Sequence, residues 1–158
     1  MSLPRIDTAQ VKGQRILVRV DLADPESPFC EYYLTEVATA VEMLLDRGAS
    51  VVLAGNTGNP EARGALPSLQ GLVEPLSKKL DGMKVDFLAS PAADLQGLSA
   101  NSKVALMENL ANEPGEIKGD KSFAQSLATN CDAYVNNAFV VCFFIFCVIN
   151  YFFYMLDK

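Results

Sequence analysis

Four sets of residues are of types that could do chemistry. Gly55-Asn56-Thr57-Gly58 follows an apolar run, where the backbone N–H groups of a tight turn can cradle a small anion. It has neither the GxGxxG spacing nor the lysine of a P-loop, so an ordinary strand-to-helix turn is the plainer reading. Asn136-Asn137 can hydrogen-bond a polar ligand or satisfy local backbone groups. Glu108 carries a carboxylate that reads either as a catalytic acid or as a structural group. Asp24, Glu26 and Glu31 lack the spacing of a calcium loop and read as a solvated acidic loop.

What the chain lacks narrows the chemistry further. It has no histidine, which removes imidazole acid–base catalysis, Ser-His and Cys-His nucleophiles and most metal chemistry. The four cysteines, Cys30, Cys131, Cys142 and Cys147, form no CxxC pair, so reduced and mostly buried thiols are expected, with no zinc site. A net charge of −6 argues against a nucleic-acid surface. Met-Ser-Leu-Pro-Arg at the start has no apolar signal region. The 158 residues suit about one domain with a core of its own.

The elements that must position these residues follow from periodicity. Gln14–Val20, Ser50–Ala54, Val85–Leu88, Lys103–Met107 and Ala133–Asn136 read as strands, most of them near-continuous apolar runs. Leu34, Val37, Ala38, Val41, Leu44 and Leu45 recur at helical spacing, with Gly48 as a stop. Pro67 is expected in the first turn of a helix carrying Leu69, Leu72, Val73, Leu76 and Leu80. Pro91–Leu95 starts a short helix, and Phe123, Ala124, Leu127 and Ala128 form the inner face of another. Strands alternating with helices predict an α/β fold, a doubly wound parallel sheet covered on both faces. Ligands then sit outside the carboxyl ends of the strands. That rim, read as Asp21 and Ala23, Gly55 to Asn59, Asn109 to Asn112, and Asn136-Asn137, is expected to hold no Lys and no Arg.

The order and spacing of several motifs resemble a known family. Met107-Glu108-Asn109-Leu110 and Asp132-Ala133-Tyr134-Val135-Asn136-Asn137-Ala138-Phe139 resemble the LLENLRF and DVYVNDAF of phosphoglycerate kinase. Arg19-Val20-Asp21, Gly58 and Pro60 agree as well, and the likeness runs from about Arg15 to Phe139. The resemblance implies the Rossmann-like three-layer α/β/α fold of the family's N-terminal, phosphoglycerate-binding half. It implies phosphoryl transfer between 1,3-bisphosphoglycerate and ADP, with ATP/ADP and Mg bound by a second half absent from this chain. It also places Glu108 in a structural segment.

Residue by residue, the implied substrate pocket is altered. Asp21 keeps its family position. Ala23 stands for the asparagine of RVDFN, Asn56 and Asn59 for the histidine and arginine of SHLGRP, and Ala111 for the arginine of ENLR. Tyr33 and Phe144 fall where two further family arginines are expected. A multiply charged phosphoglycerate needs Arg or Lys aimed at its oxygens, and each lost charge-assisted contact costs about 2 kcal/mol or more. Weak or no phosphoglycerate binding and a catalytically incompetent homologue, acting as a binding or scaffold module for a protein partner, are therefore expected.

The sequence divides into residues 1–139, the family-like domain, and 140–158, an apolar tail. From Ala138 to Leu156 there is no charge, and Tyr151, Tyr154 and Lys158 lie near the end. Three readings fit: a C-terminal membrane anchor, an aberrant segment from a wrong frame or unspliced sequence, or a tail covered by the domain or a partner. The corresponding functional alternatives are an incomplete form of an active kinase and a membrane-anchored interaction protein. A cytoplasmic location, membrane-attached if the tail is genuine, is the expectation.

Overall fold

The computed structural model describes residues 10–58 and 66–138. The expectations at Asn59, Pro60, Phe139 and Phe144, and those for the tail from 140 to 158, lie outside the described residues.

Five strands form one sheet: β1 (Arg15–Asp21), β2 (Ser50–Asn56), β3 (Val85–Leu88), β4 (Val104–Met107) and β5 (Ala133–Asn137). Their order is β3-β4-β2-β1-β5, and every neighbouring pair is parallel. The central strands are buried on both faces, which is why Ile16–Val18 and Val51–Ala54 are continuous rather than alternating apolar runs.

Alternation along each strand sorts the side chains into two cores. On one face Ile16, Val18, Val20, Val51, Leu53, Val104 and Leu106 pack against α1 (Cys30–Leu45) and α2 (Val73–Lys79). On the other face Leu17, Val52, Ala54, Ala105 and Met107 pack with Leu95 of α3 (Pro91–Gly97) and Leu127 of α5 (Lys121–Ala128). The expected doubly wound α/β architecture is thus present, with both faces of the sheet covered.

Helix α1 buries Leu34, Val37, Ala38, Val41 and Leu44 of the stripe read from the sequence and Ala40 besides, while Leu45 is half-buried. It ends as expected near Gly48, whose φ of +81° lets the chain reverse while its N–H bonds to Leu45 O at 2.8 Å.

The expectation for Pro67 is corrected. Pro67 precedes a 3-10 turn, Leu69–Leu72, and the α-helical hydrogen bonding begins only at Val73. Ser68 caps that turn by accepting from Gln70 N, and the Pro67 carbonyl accepts from Asn109 Nδ2 instead of starting a helix. Two short elements have no signature in the sequence reading: the 3-10 turn Leu110–Asn112 and α4 (Pro114–Lys118). Five residues or fewer cannot show a helical period.

Candidate functional site at the carboxyl rim of the sheet

The register of β1 brings three strand ends together. Asp21 lies beside Asn56, Arg19 beside Asn136, and Val20 beside Asn137. Alternation puts Arg19 and Asp21 on the face of Leu17, toward α5, and Asn56 on the same face of β2. Ala23 follows in the loop after β1, half-buried.

The rim residues read from the sequence include no Lys or Arg, but Arg19 adds a cation behind them. Its side chain, from within β1, is only 2% exposed. Nη2 donates to Asn56 Oδ1 at 2.8 Å, and Nη1 stands 3.3 Å from Oε1 of Glu116 on α4. The guanidinium therefore lies immediately behind a rim residue. The signal was available: a charge in an otherwise apolar, doubly covered strand must find a partner.

Glu116 is 3% exposed. Burial pushes its carboxyl above the ordinary range, and the Arg19 charge pulls it only part of the way back. At 3.3 Å and an effective dielectric of about 20, the attraction is roughly 5 kcal/mol. Desolvating the two ions costs several kcal/mol each, so the pair is close to neutral for folding.

The loop after β4 is a staple. Asn109 is fully buried. Its Nδ2 donates to Thr57 O at 3.0 Å and Pro67 O at 2.8 Å, while Oδ1 accepts from Ala111 N at 3.1 Å and Thr57 N at 3.3 Å. Asn112 does the same for Leu66, accepting its N–H at 2.8 Å and donating to its carbonyl at 3.1 Å. Both arms of the segment that leaves β2 are thereby fixed to the loop after β4, and Ala111 is brought next to Thr57. Glu108 is structural, as the sequence reading held: Oε1 accepts from Leu69 N at 2.9 Å and Asn109 N at 2.6 Å, and Oε2 from Ser68 Oγ at 2.6 Å.

Other candidates separate from this cluster. Tyr33 is half-buried on α1 and meets Tyr32 edge-on, centroids 5.5 Å apart, on a helix packed against the opposite face of the sheet. Asn136 Oδ1 accepts from Ala138 N at 3.2 Å, the local backbone role weighed from the sequence. Cys131 is buried, which pushes its thiol up to about 12, and the thiol of Cys30 is raised mainly by burial. Neither is activated as a nucleophile. Among the described residues no group of three or more His, Cys, Asp and Glu could hold a metal ion. Among the same residues no helix is long and apolar enough to cross a membrane.

Chemically, then, the rim offers a carboxylate at Asp21, amides at Asn56 and Asn136, and one buried cation behind them. That is a hydrogen-bonding surface with little net positive charge.

Comparison with known proteins agrees with the motifs. The phosphoglycerate kinase family profile matches residues 6–144, five residues past Phe139. The chain is 36% identical over 148 residues to a phosphoglycerate kinase of Caulobacter vibrioides, covering 88% of this chain and 37% of that protein. It is 37% identical over 153 residues to that of Bartonella quintana, covering 89% and 37%. In structure it is similar to phosphoglycerate kinase from Coxiella burnetii, with TM-score 0.69, 25% identity, and coverage of 83% of this chain and 34% of the other. The enzyme from Pyrococcus horikoshii shares the fold at TM-score 0.72 and 21% identity, covering 88% and 37%. The chain thus spans about 37% of the length of the curated relatives it matches. With the parallel α/β fold, the ordered motifs and the profile in agreement, this chain belongs to the phosphoglycerate kinase family.

Proposed function

We propose that this chain is a phosphoglycerate-kinase-type domain that does not by itself transfer a phosphoryl group between 1,3-bisphosphoglycerate and ADP. One observation carries the reading. At the rim, Asn56 and Ala111 occupy positions where the resemblance expects basic residues, and the cation that lies behind Asn56, Arg19, is already engaged by Glu116. Stabilising a transferring phosphoryl group needs several cations aimed at its oxygens. A lone, neutralised guanidinium supplies far less.

Asp21 is the site residue we assign to substrate contact. Ala23, Tyr33, Asn56, Asn59, Ala111 and Phe144 are positions where the family's contacts are lost. In the resemblance, ATP/ADP with Mg belongs to the part of the family this chain does not span, so we assign it no cofactor of its own. A cytoplasmic binding module with a protein partner, not a nucleic acid, is the corresponding role. Titration of the 158-residue chain with 3-phosphoglycerate by calorimetry tests the reading. Millimolar or undetectable binding is expected, and a micromolar Kd refutes the lost pocket.

The coverage favours a second reading, in which these residues belong to a longer, active kinase. Sequencing the transcript across the codons for Phe139 and Val140 decides between them. An in-frame continuation into a second α/β half supports the longer kinase. A stop after Lys158 leaves the short form, and there carbonate extraction of a reporter fused to residues 138–156 reads out membrane attachment.

A further inference from the structure

Arg19 and Glu116 are paired in charge but not in geometry. A pair built for stability alone would meet through two parallel N–H···O bonds. Here Nη1 approaches Oε1 at 3.3 Å, Nη2 is turned away to Asn56, and both Arg19 Nε and Glu116 Oε1 are buried without a hydrogen bond. Asn56, whose amide oxygen is held by Arg19, keeps its NH2 group to donate at the end of β2.

The main chain that carries the carboxylate is held by its short helix. Gly115 packs so closely on α5 that a Cβ there would lie 2.6 Å from Phe123 Cβ, so only glycine fits. Gly119, at φ +63°, closes α4 by donating to Glu116 O, and Asp120 N donates to Gly115 O at 2.8 Å. This clamp fixes the backbone from which Glu116 reaches Arg19.

We propose that Glu116 is a built-in counter-ion that sets the anion affinity of the rim: its fixed charge offsets Arg19, so an oxyanion reaching Asn56 meets a donor but little positive potential. The inference rests on the proposed weak-binding site and identifies what weakens it beyond the altered positions. Glu116 acts through Arg19 and is a positioning residue, not a contact to the ligand.

The test uses the full chain, Glu116→Gln and Glu116→Met, titrated with inorganic phosphate and with 3-phosphoglycerate at pH 8 and low salt. Either variant is expected to bind about tenfold tighter, the size of effect one unit charge has at about 12 Å and an effective dielectric of about 20. Adding Arg19→Gln is expected to abolish the gain. A purely structural role for Glu116 would lower affinity or leave it unchanged, so a gain that depends on Arg19 separates the two. Thermal melts identify the variants that keep a cooperative transition. No gain in such a variant, including no detectable binding by any form, overturns the proposal. Loss of the transition in both variants also overturns it, because Glu116 would then be a fold requirement. The wild-type Kd alone reports on the proposed function, whereas the variant-to-wild-type ratio reports on Glu116.

Discussion

Replacing Asn109 by alanine should loosen the rim by removing the side chain that ties its loops together. The side chain is fully buried and makes four hydrogen bonds, of which three, at 2.8, 3.0 and 3.1 Å, have good lengths. The fourth, from Thr57 N at 3.3 Å, is weaker. At about 1 kcal/mol net for each good bond, the loss comes to about 3 kcal/mol. Stranded carbonyls at Thr57 and Pro67 act in the same direction. For a chain of this size, that corresponds to a Tm lower by roughly 6–12 °C.

Urea denaturation of the full chain measures the change, and amide exchange at Thr57 and Ala111 localises it. Asn112→Ala is the internal control, because its two bonds to Leu66 are solvent-exposed and should be worth under about 1 kcal/mol. Asn109→Asp should be no milder than alanine, since it keeps the acceptor but loses both donated bonds and adds a buried charge. A loss under about 1 kcal/mol for Asn109→Ala, or equal losses at positions 109 and 112, would refute the staple.

Three further outcomes are expected. Arg19→Met should cost about 3–5 kcal/mol by leaving Glu116 buried and unpaired, whereas Arg19→Met with Glu116→Met should recover most of that loss; urea midpoints of the four-member cycle give the coupling. The raised Glu116 carboxyl holds its proton longer in the folded state, so its contribution is full below the ordinary carboxylate range and is lost as pH rises through the raised folded value; a Tm-versus-pH profile should show that fall in the wild type and not in Glu116→Gln. The Cys131 thiol, buried and pushed up to about 12, should react with a disulfide reagent at neutral pH only as fast as the domain opens.

The five strands and the long helix α1 were legible in the sequence because each has a period of its own. Doubly covered strands must be continuous apolar runs, and α1 must carry a stripe at i, i+3 and i+4. Their parallel direction follows from the alternation of strand and helix, and the strand ends then place Asp21, Asn56 and Asn136 on one rim. The neutral residues at Asn56 and Ala111, where the resemblance implies basic ones, were likewise visible as residue types, since charge is a property of the side chain itself.

The tertiary structure decided what stands behind those positions. Helix α4 is five residues long and has no period, so nothing local places Glu116 beside a strand nearly a hundred residues earlier. Arg19 looked like part of a strand motif, and only the register of β1 with β2 and the packing of α4 on Phe123 turned it into a buried cation shared by Asn56 and Glu116. The same holds for Asn109: its type allowed a cap or a ligand contact, and the approach of two separate loops made it a staple. Sequence periodicity dictates which face of an element is buried, whereas a buried charge or amide takes its role from the partner that folding brings within about 3 Å.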